Sequence, residues 1–315
     1  MSGLLERLQL RLADGRRVDY LELGDPTGAP AVYLHGTPSS ASEALWLHRT
    51  ACANGVRIVS LDRPGYLESD PHPGASFIGV ANDVVAVAQA LRLGPFAVVG
   101  FSGGAGYALT TAHVAPDQVT VVHVGGGIGS LAGDGWQDLP WLRRLPFKLI
   151  ARAPRVSAVL LGGVFVLFRR GLRKRLDSPA DAALWFFEGP AQGAQIAAIA
   201  RYVQASTPGE LRGELCDWAA GTKARSATVN DLVSYTRPWP FELNSLSTRV
   251  EIWHGRADPA APVAFAERTA SELPNARAHV FDDEGHFVFH THSDAITRSI
   301  REHASSRTAS DPPAS

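Results

Sequence analysis

Apolar residues recur along this chain in two rhythms. Leu8-Gln9-Leu10-Arg11-Leu12 and Val18-Asp19-Tyr20-Leu21-Glu22-Leu23 alternate apolar with polar, and Asp14-Gly15 lies between them. Period-two alternation marks half-buried strands and Asp-Gly is a favoured tight turn, so a β-hairpin opens the chain. Continuous apolar runs follow at 31–34, 56–61, 96–99 and 119–124. Runs of this kind suit parallel strands covered on both faces. Helix-length stretches separate them at about 42–53, 78–91 and 104–114. The β-α alternation predicts a parallel sheet with helices on both faces. It stops near Gly125 and resumes near Arg249, with strands at 250–254 and 278–281, a helix at 263–273 and a last helix at about 293–303.

The residues between, 126–238, are rich in helix formers and show no strand pattern. They read as a helical cap inserted between two sheet strands. The expected organisation is therefore an α/β core over 1–125 and 239–304, a cap over 126–238, and a small, polar, Pro-rich disordered tail over 305–315. A length of 315 residues suits one large α/β domain with such an insertion, and an apolar fraction of 45% is that of a soluble globular protein. Cys52 and Cys216 stand too far apart in sequence to suggest a disulfide framework; they are expected to be buried small hydrophobes in a reducing compartment, the cytoplasm. The N-terminus lacks a signal-peptide pattern, and no apolar run reaches the roughly 18 residues of a membrane span. A net charge of -1 gives no basic footprint for nucleic acid.

The chemistry concentrates in Val98-Val99-Gly100-Phe101-Ser102-Gly103-Gly104, which satisfies G-x-S-x-G after an apolar strand and before a helix-like stretch. A sharp strand-to-helix turn there strains the serine backbone and exposes its hydroxyl. A serine hydroxyl needs a base to become a nucleophile, and the base needs an acid to orient it. Asp258, after the strand at 250–254, and His286, after the strand at 278–281, follow Ser102 in that order. Asp282, Asp283 and Glu284 share a short loop with His286 and are poorly placed to meet its ring. His254 reads as a packed strand-end residue, and His290 and His292 as residues opening the last helix. An oxyanion would need two backbone N–H donors. Gly103 supplies one at a helix N-terminus, where the dipole favours an anion. In Leu34-His35-Gly36-Thr37-Pro38, proline has no N–H, so Thr37 is the second candidate. Asp62-Arg63-Pro64-Gly65-Tyr66 reads as a structural turn.

Together, His35-Gly36-Thr37-Pro38, Asp62-Arg63-Pro64-Gly65-Tyr66, Gly100-Phe101-Ser102-Gly103-Gly104, Gly255-Arg256-Ala257-Asp258 and Gly285-His286-Phe287 resemble the α/β-hydrolase superfamily, in its serine-nucleophile branch. The resemblance covers about 8–125 and 240–304. It implies an eight-stranded, mostly parallel sheet under a helical cap, with Ser102 as nucleophile, His286 as base and Asp258 as acid. It implies no metal and no organic cofactor. Ser102 stands where haloalkane dehalogenases and epoxide hydrolases carry Asp. Leu67 stands where many relatives carry Gly, which puts the shape of that loop in question. The expected activity is hydrolysis of a carboxylic ester or related acyl bond of a small, apolar molecule. The rival readings are a receptor-like binding protein on the same fold and a cofactor-free perhydrolase or oxygenase.

Aromatics such as Trp136, Trp141, Phe165 and Trp218 either wall an apolar pocket over Ser102 or pack the cap onto the core. Between Arg143 and Arg175 the chain has ten basic residues and no acidic one, flanking the apolar run 156–168. The favoured expectation is a solvated face around a buried cap helix. Docking on an anionic membrane and attraction of acidic substrates are the alternatives.

Overall fold

The computed structural model describes residues 6–72, 76–139, 141–188 and 194–308. Eight strands form one sheet: β1 Leu8–Arg11, β2 Arg17–Gly24, β3 Ala29–Leu34, β4 Val56–Leu61, β5 Phe96–Phe101, β6 Val119–Gly125, β7 Arg249–Gly255 and β8 Ala276–Phe281. Their spatial order is β1-β2-β4-β3-β5-β6-β7-β8. The first hairpin and the β2–β4 pair are antiparallel, and every other pair is parallel. All residues of β5 and β6 are buried, as their unbroken apolar runs require.

Alternate residues of one strand serve two different cores. In β3, Ala31 and Tyr33 face a cluster that includes Leu47, Ile296 and Ile300, while Val32 and Leu34 face one that includes Val84, Val87 and Ala108. The first cluster is covered by α1 Leu45–Asn54 and by the C-terminal helix, the second by α2 Phe77–Ala90 and α3 Ala105–Val114. Gly55, left-handed at φ 64, ends α1, and Ser76 caps α2 by accepting the Gly79 N–H at 3.2 Å.

Between β6 and β7 the chain forms α4 Trp141–Arg152, α5 Pro154–Arg173, α6 Pro179–Glu188, α7 Ala194–Ala205, α8 Pro208–Gly221 and α9 Arg225–Tyr235. Three of these start on proline, whose fixed φ and missing N–H suit a helix's first turn. Pro154 also ends α4, because the residue before a proline avoids the helical region. After β7 come α10 Val263–Glu272 and, after β8, α11 Val288–Thr308, kinked at His292.

Two expectations need correcting here. The last helix starts earlier and runs further than 293–303, so residues 305–308 of the expected tail are helical; Ile296 and Ile300 anchor it to the core, and no proline intervenes before Pro312. The rest of that tail, 309–315, lies outside the described residues. Cys52 and Cys216 are free but exposed, not buried, since each falls on the outer side of its helix. Among the described residues, no helix is long and apolar enough to cross a membrane.

Buried carboxyls join the helices between β6 and β7 to the core. Glu214 on α8 accepts from Trp46 Nε1 at 2.8 Å and from Tyr202 at 2.6 Å. Burial raises its pKa from 4.5 to about 7, although both hydrogen bonds oppose the rise. Unfolded, this carboxyl ionises near its ordinary value, while the folded chain holds the proton longer. Its contribution to stability is thus full below about pH 4.5 and is lost as pH rises through 7. Glu214→Gln should flatten this part of the profile, seen as a smaller fall in thermal midpoint between pH 5 and pH 7 by roughly a few degrees. Two glycine substitutions should part in sign. A Cβ on Gly104 would run into the Leu34 carbonyl, whereas one on Gly163 in α5 would meet nothing within 4 Å. Urea titration should show Gly104→Ala destabilised by more than ~3 kcal/mol and Gly163→Ala stabilised by ~0.5–1 kcal/mol.

Candidate functional site

The turn from β5 into α3 holds Ser102 at φ 50, in the left-handed region that non-glycine residues rarely enter. Crowding enforces it. A Cβ on Gly100 would approach the Gly104 carbonyl oxygen at 2.6 Å and Ala108 Cβ at 2.8 Å, and one on Gly104 would overlap Leu34 of β3. Glycine at both places lets strand, turn and helix pass this closely. Ser102 is half-buried and stands beside Gly36, whose own Cβ would lie 3.3 Å from that of the serine.

The loops after β7 and β8 bring Asp258 and His286 together. His286 Nδ1 lies 2.8 Å from Asp258 Oδ2. The second oxygen, Oδ1, accepts the N–H groups of Ala260 at 2.7 Å and Ala261 at 3.0 Å. Burial pushes the Asp258 carboxyl up, but the His286 ring and these N–H groups outweigh it and hold the acid below its ordinary value. An ionised Asp258 accepts Nδ1–H and leaves Nε2 as the ring's free, basic nitrogen. Two of the three rival carboxylates are engaged elsewhere: Glu284 with His292 at 2.9 Å and Asp282 with Arg256 at 2.8 Å. His254 is buried and bonded to the Ala261 carbonyl at 2.9 Å. His290 is packed at 4.1 Å from the Trp46 ring, and burial drives its pKa down to about 3. His286 itself is flanked by the Phe101 ring at 5.0 Å and the Phe287 ring at 5.7 Å.

The loop after β3 lies against Gly103. Buried Glu43 takes the Gly36 N–H at 2.8 Å, so that donor is spent. The Thr37 N–H donates to no other described residue, and Pro38 has none. The first N–H groups of a helix have no intrahelical acceptor, so the Gly103 N–H at the start of the turn into α3 is free to bind an anion as well. Thr37 Oγ1 and the Tyr235 hydroxyl crowd Gly103 so closely that no Cβ could be placed there.

An α/β-hydrolase fold family model matches residues 30–293. The chain belongs to the α/β-hydrolase fold family. One curated relative is a non-heme chloroperoxidase of Streptomyces lividans, 34% identical over 97 residues; the match covers 30% of this chain and only 34% of that protein. Among solved structures, an α/β-hydrolase fold protein from Nakamurella multipartita superposes with a TM-score of 0.69 at 21% identity, covering 95% of this chain and all of that one. An esterase from Exiguobacterium antarcticum superposes with a TM-score of 0.61 at 18% identity, covering 94% and 98%. At such identities these likenesses establish the fold.

What sequence reasoning missed in this α/β-hydrolase is a buried polar network between cap and core. Its centre is Asp231 on α9. Asp231 accepts from Arg63 Nη2 at 2.6 Å, Tyr66 at 2.7 Å, Tyr107 at 2.6 Å and Thr37 Oγ1 at 2.9 Å. Arg63 is 2% exposed and is sandwiched by the Tyr66 and Tyr107 rings, 5.2 and 5.0 Å from their centroids. It also donates to the carbonyls of His35 and Gly36. Burial works against its charge, but Asp231 more than restores it, so the guanidinium stays protonated. Tyr235, one turn along α9, shares its proton between the Gly103 carbonyl and Thr37 Oγ1, each 2.9 Å away. No short motif links α9 to these loops, so only the folded chain reveals the connection. Leu67, the departure from the family pattern, sits at φ 46, a left-handed position that glycine would fill without strain.

A cavity of about 480 Å³ lies between this network and the cap, lined by Arg63, Gly65, His72, Val159, Arg225 and Asp231 among others. Its lining includes neither Ser102 nor His286, so the expected apolar pocket over Ser102 is not this space. Among the described residues, no group of three or more His, Cys, Asp or Glu is placed to hold a metal ion.

Removing the carboxylate of Asp231 while Arg63 remains leaves a buried charge without its counter-ion. Asp231→Asn should cost ~3–5 kcal/mol in chemical denaturation, against ~1 kcal/mol for Tyr235→Phe, which loses only a neutral hydrogen bond.

Proposed function

We propose that this protein is a serine hydrolase that cleaves a carboxylic ester or related acyl bond of a small, apolar molecule. The observation that carries the reading is the left-handed backbone of Ser102 at a strand-to-helix turn where three glycines admit no side chain. In this reading Ser102 Oγ attacks the acyl carbon as His286 Nε2 takes its proton. Asp258 holds the ring by Nδ1 and stabilises its positive charge. The N–H groups of Gly103 and Thr37 receive the charge that develops on the carbonyl oxygen. The leaving alcohol takes the proton back from His286. Water, deprotonated by the same ring, then releases the acid and frees the serine. The Phe101 and Phe287 rings are buried beside His286 and keep water from that side of the imidazole.

The test is turnover of p-nitrophenyl esters from acetate to laurate. Wild type should hydrolyse at least one, and Ser102→Ala and His286→Ala should each lower kcat by ~10⁴-fold or more, with Asp258→Asn close behind. A folded wild type that neither turns over any ester nor is labelled by a fluorophosphonate would defeat the proposal and favour a binding protein on the same fold.

A second reading rests on the likeness to the non-heme chloroperoxidase. Hydrogen peroxide would then take the place of water in releasing the acyl group, giving a peracid. Peracid formation from acetate and peroxide, lost in Ser102→Ala, would favour it.

A further inference from the structure

Helices α4 and α5 carry most of the exposed large hydrophobic side chains among the described residues. Of the ten large hydrophobic side chains exposed among the described residues, eight lie between Trp141 and Leu167. On α4 these are Trp141, Leu145 and Leu149, at i, i+4 and i+8. On α5 they are Val156, Val159, Leu160, Val164 and Leu167, again a single helical stripe. The exposures are large: 68% at Trp141, 71% at Val159 and 67% at Leu167. The opposite face of α5 is the one that packs. Ser157, Gly162 and Leu172 are buried, and Gly162 closes onto Arg225 at the start of α9. The expected buried cap helix is therefore a helix with its inner face docked and its apolar stripe turned to solvent. Val159 also borders the cavity beside Arg63 and Asp231, but a run of exposed large apolar side chains along each of two consecutive helices marks an interaction site rather than ordinary surface.

Charge decides among partners. Lys148, Arg152, Arg155, Arg170, Arg173 and Lys174 are exposed, and none pairs with a carboxylate among the described residues. No acidic residue occurs between Trp141 and Leu176, in a chain whose net charge is only -1. A second copy of the chain would bring these cations against their own kind across a two-fold interface. A nucleic acid would use the cations and leave the stripe exposed to water. Branched aliphatic side chains, a tryptophan and flanking lysines and arginines instead match the boundary of an anionic bilayer, where apolar groups enter the acyl region and cations meet the headgroups. No described helix is long and apolar enough to cross such a bilayer, so the pair would lie in its surface.

We infer that α4 and α5 form a docking surface for anionic lipid membrane. The inference does not depend on the hydrolase reading. Flotation of the full chain with phosphatidylcholine vesicles, with or without phosphatidylglycerol, tests it. The protein should float with the anionic vesicles at low salt, stay behind with the neutral ones, and lose most of its binding at about 0.5 M salt. Val159→Ser/Leu167→Ser removes apolar reach, and Arg152→Gln/Arg155→Gln removes charge. Each pair should lower the bound fraction about tenfold at unchanged thermal midpoint, since all four side chains are exposed. Failure to float with anionic vesicles at low salt, equal binding to neutral ones, or wild-type binding by either folded variant would overturn the inference. So would a dimer in solution that Val159→Ser/Leu167→Ser dissociates, because the stripe would then belong to a second copy.

Discussion

A guanidinium with almost no access to water sets the terms for the rest of this fold. Moving such a charge out of water costs several kcal/mol even after the protein relaxes, and Arg63 cannot escape the cost by shedding its proton. It must be met by acceptors that the chain holds in place. Here they come from three directions: the His35 and Gly36 carbonyls on the loop after β3, the tyrosine faces of Tyr66 and Tyr107, and Asp231 on α9. These acceptors lie on several segments, so satisfying one charge fixes the loop after β3, the start of α3 and helix α9 relative to each other. Thr37 and Gly103 lie within that framework through Oγ1 and the carbonyl that Tyr235 grips. The Thr37 and Gly103 backbone is thus positioned through contacts that trace back to this ion pair.

Strain and rigidity meet at the same place. Ser102 persists at positive φ because Gly100 and Gly104 let β5, β3 and α3 close to distances no side chain would allow. The His286–Asp258 pair has its own support. Asp258 is kept ionised by two backbone N–H groups and by the ring it orients, and Glu284 and Asp282 have partners of their own. Asp258 would bare two backbone N–H groups if it turned away from His286, and that cost holds the pair together.

Much of this was legible in the sequence. Strands at 31–34, 56–61 and 119–124 were plain because buried parallel strands are apolar throughout, and the order Ser102, Asp258, His286 followed from where those strands end. The N–H groups proposed as donors at Thr37 and Gly103 were picked out because a proline and a helix start narrow the choice. Asp231 and Tyr235 were not. They lie on an unremarkable helical segment, and their importance comes from proximity to residues more than a hundred positions earlier. The orientation of α5 was misread for a related reason. Periodicity locates an apolar stripe but not its direction, and an apolar run flanked by cations looks the same whether it faces a core or a solvent boundary. Leu67 shows the opposite case: the missing glycine put the shape of its loop in question, and the fold keeps a left-handed position there.

The link through Asp231 also bears on how this scaffold could be refitted. Replacing residues 126–238 with the cap of another enzyme would remove the counter-ion of an arginine that stays behind in the core. A chimera made that way would inherit an orphaned cation beneath its new roof, whatever the quality of the junctions. A workable graft has to carry an acid into the same spot, or exchange Arg63 for an uncharged side chain at the outset. The helical insertion between β6 and β7 is therefore less a detachable accessory than a second half of the core's own electrostatics.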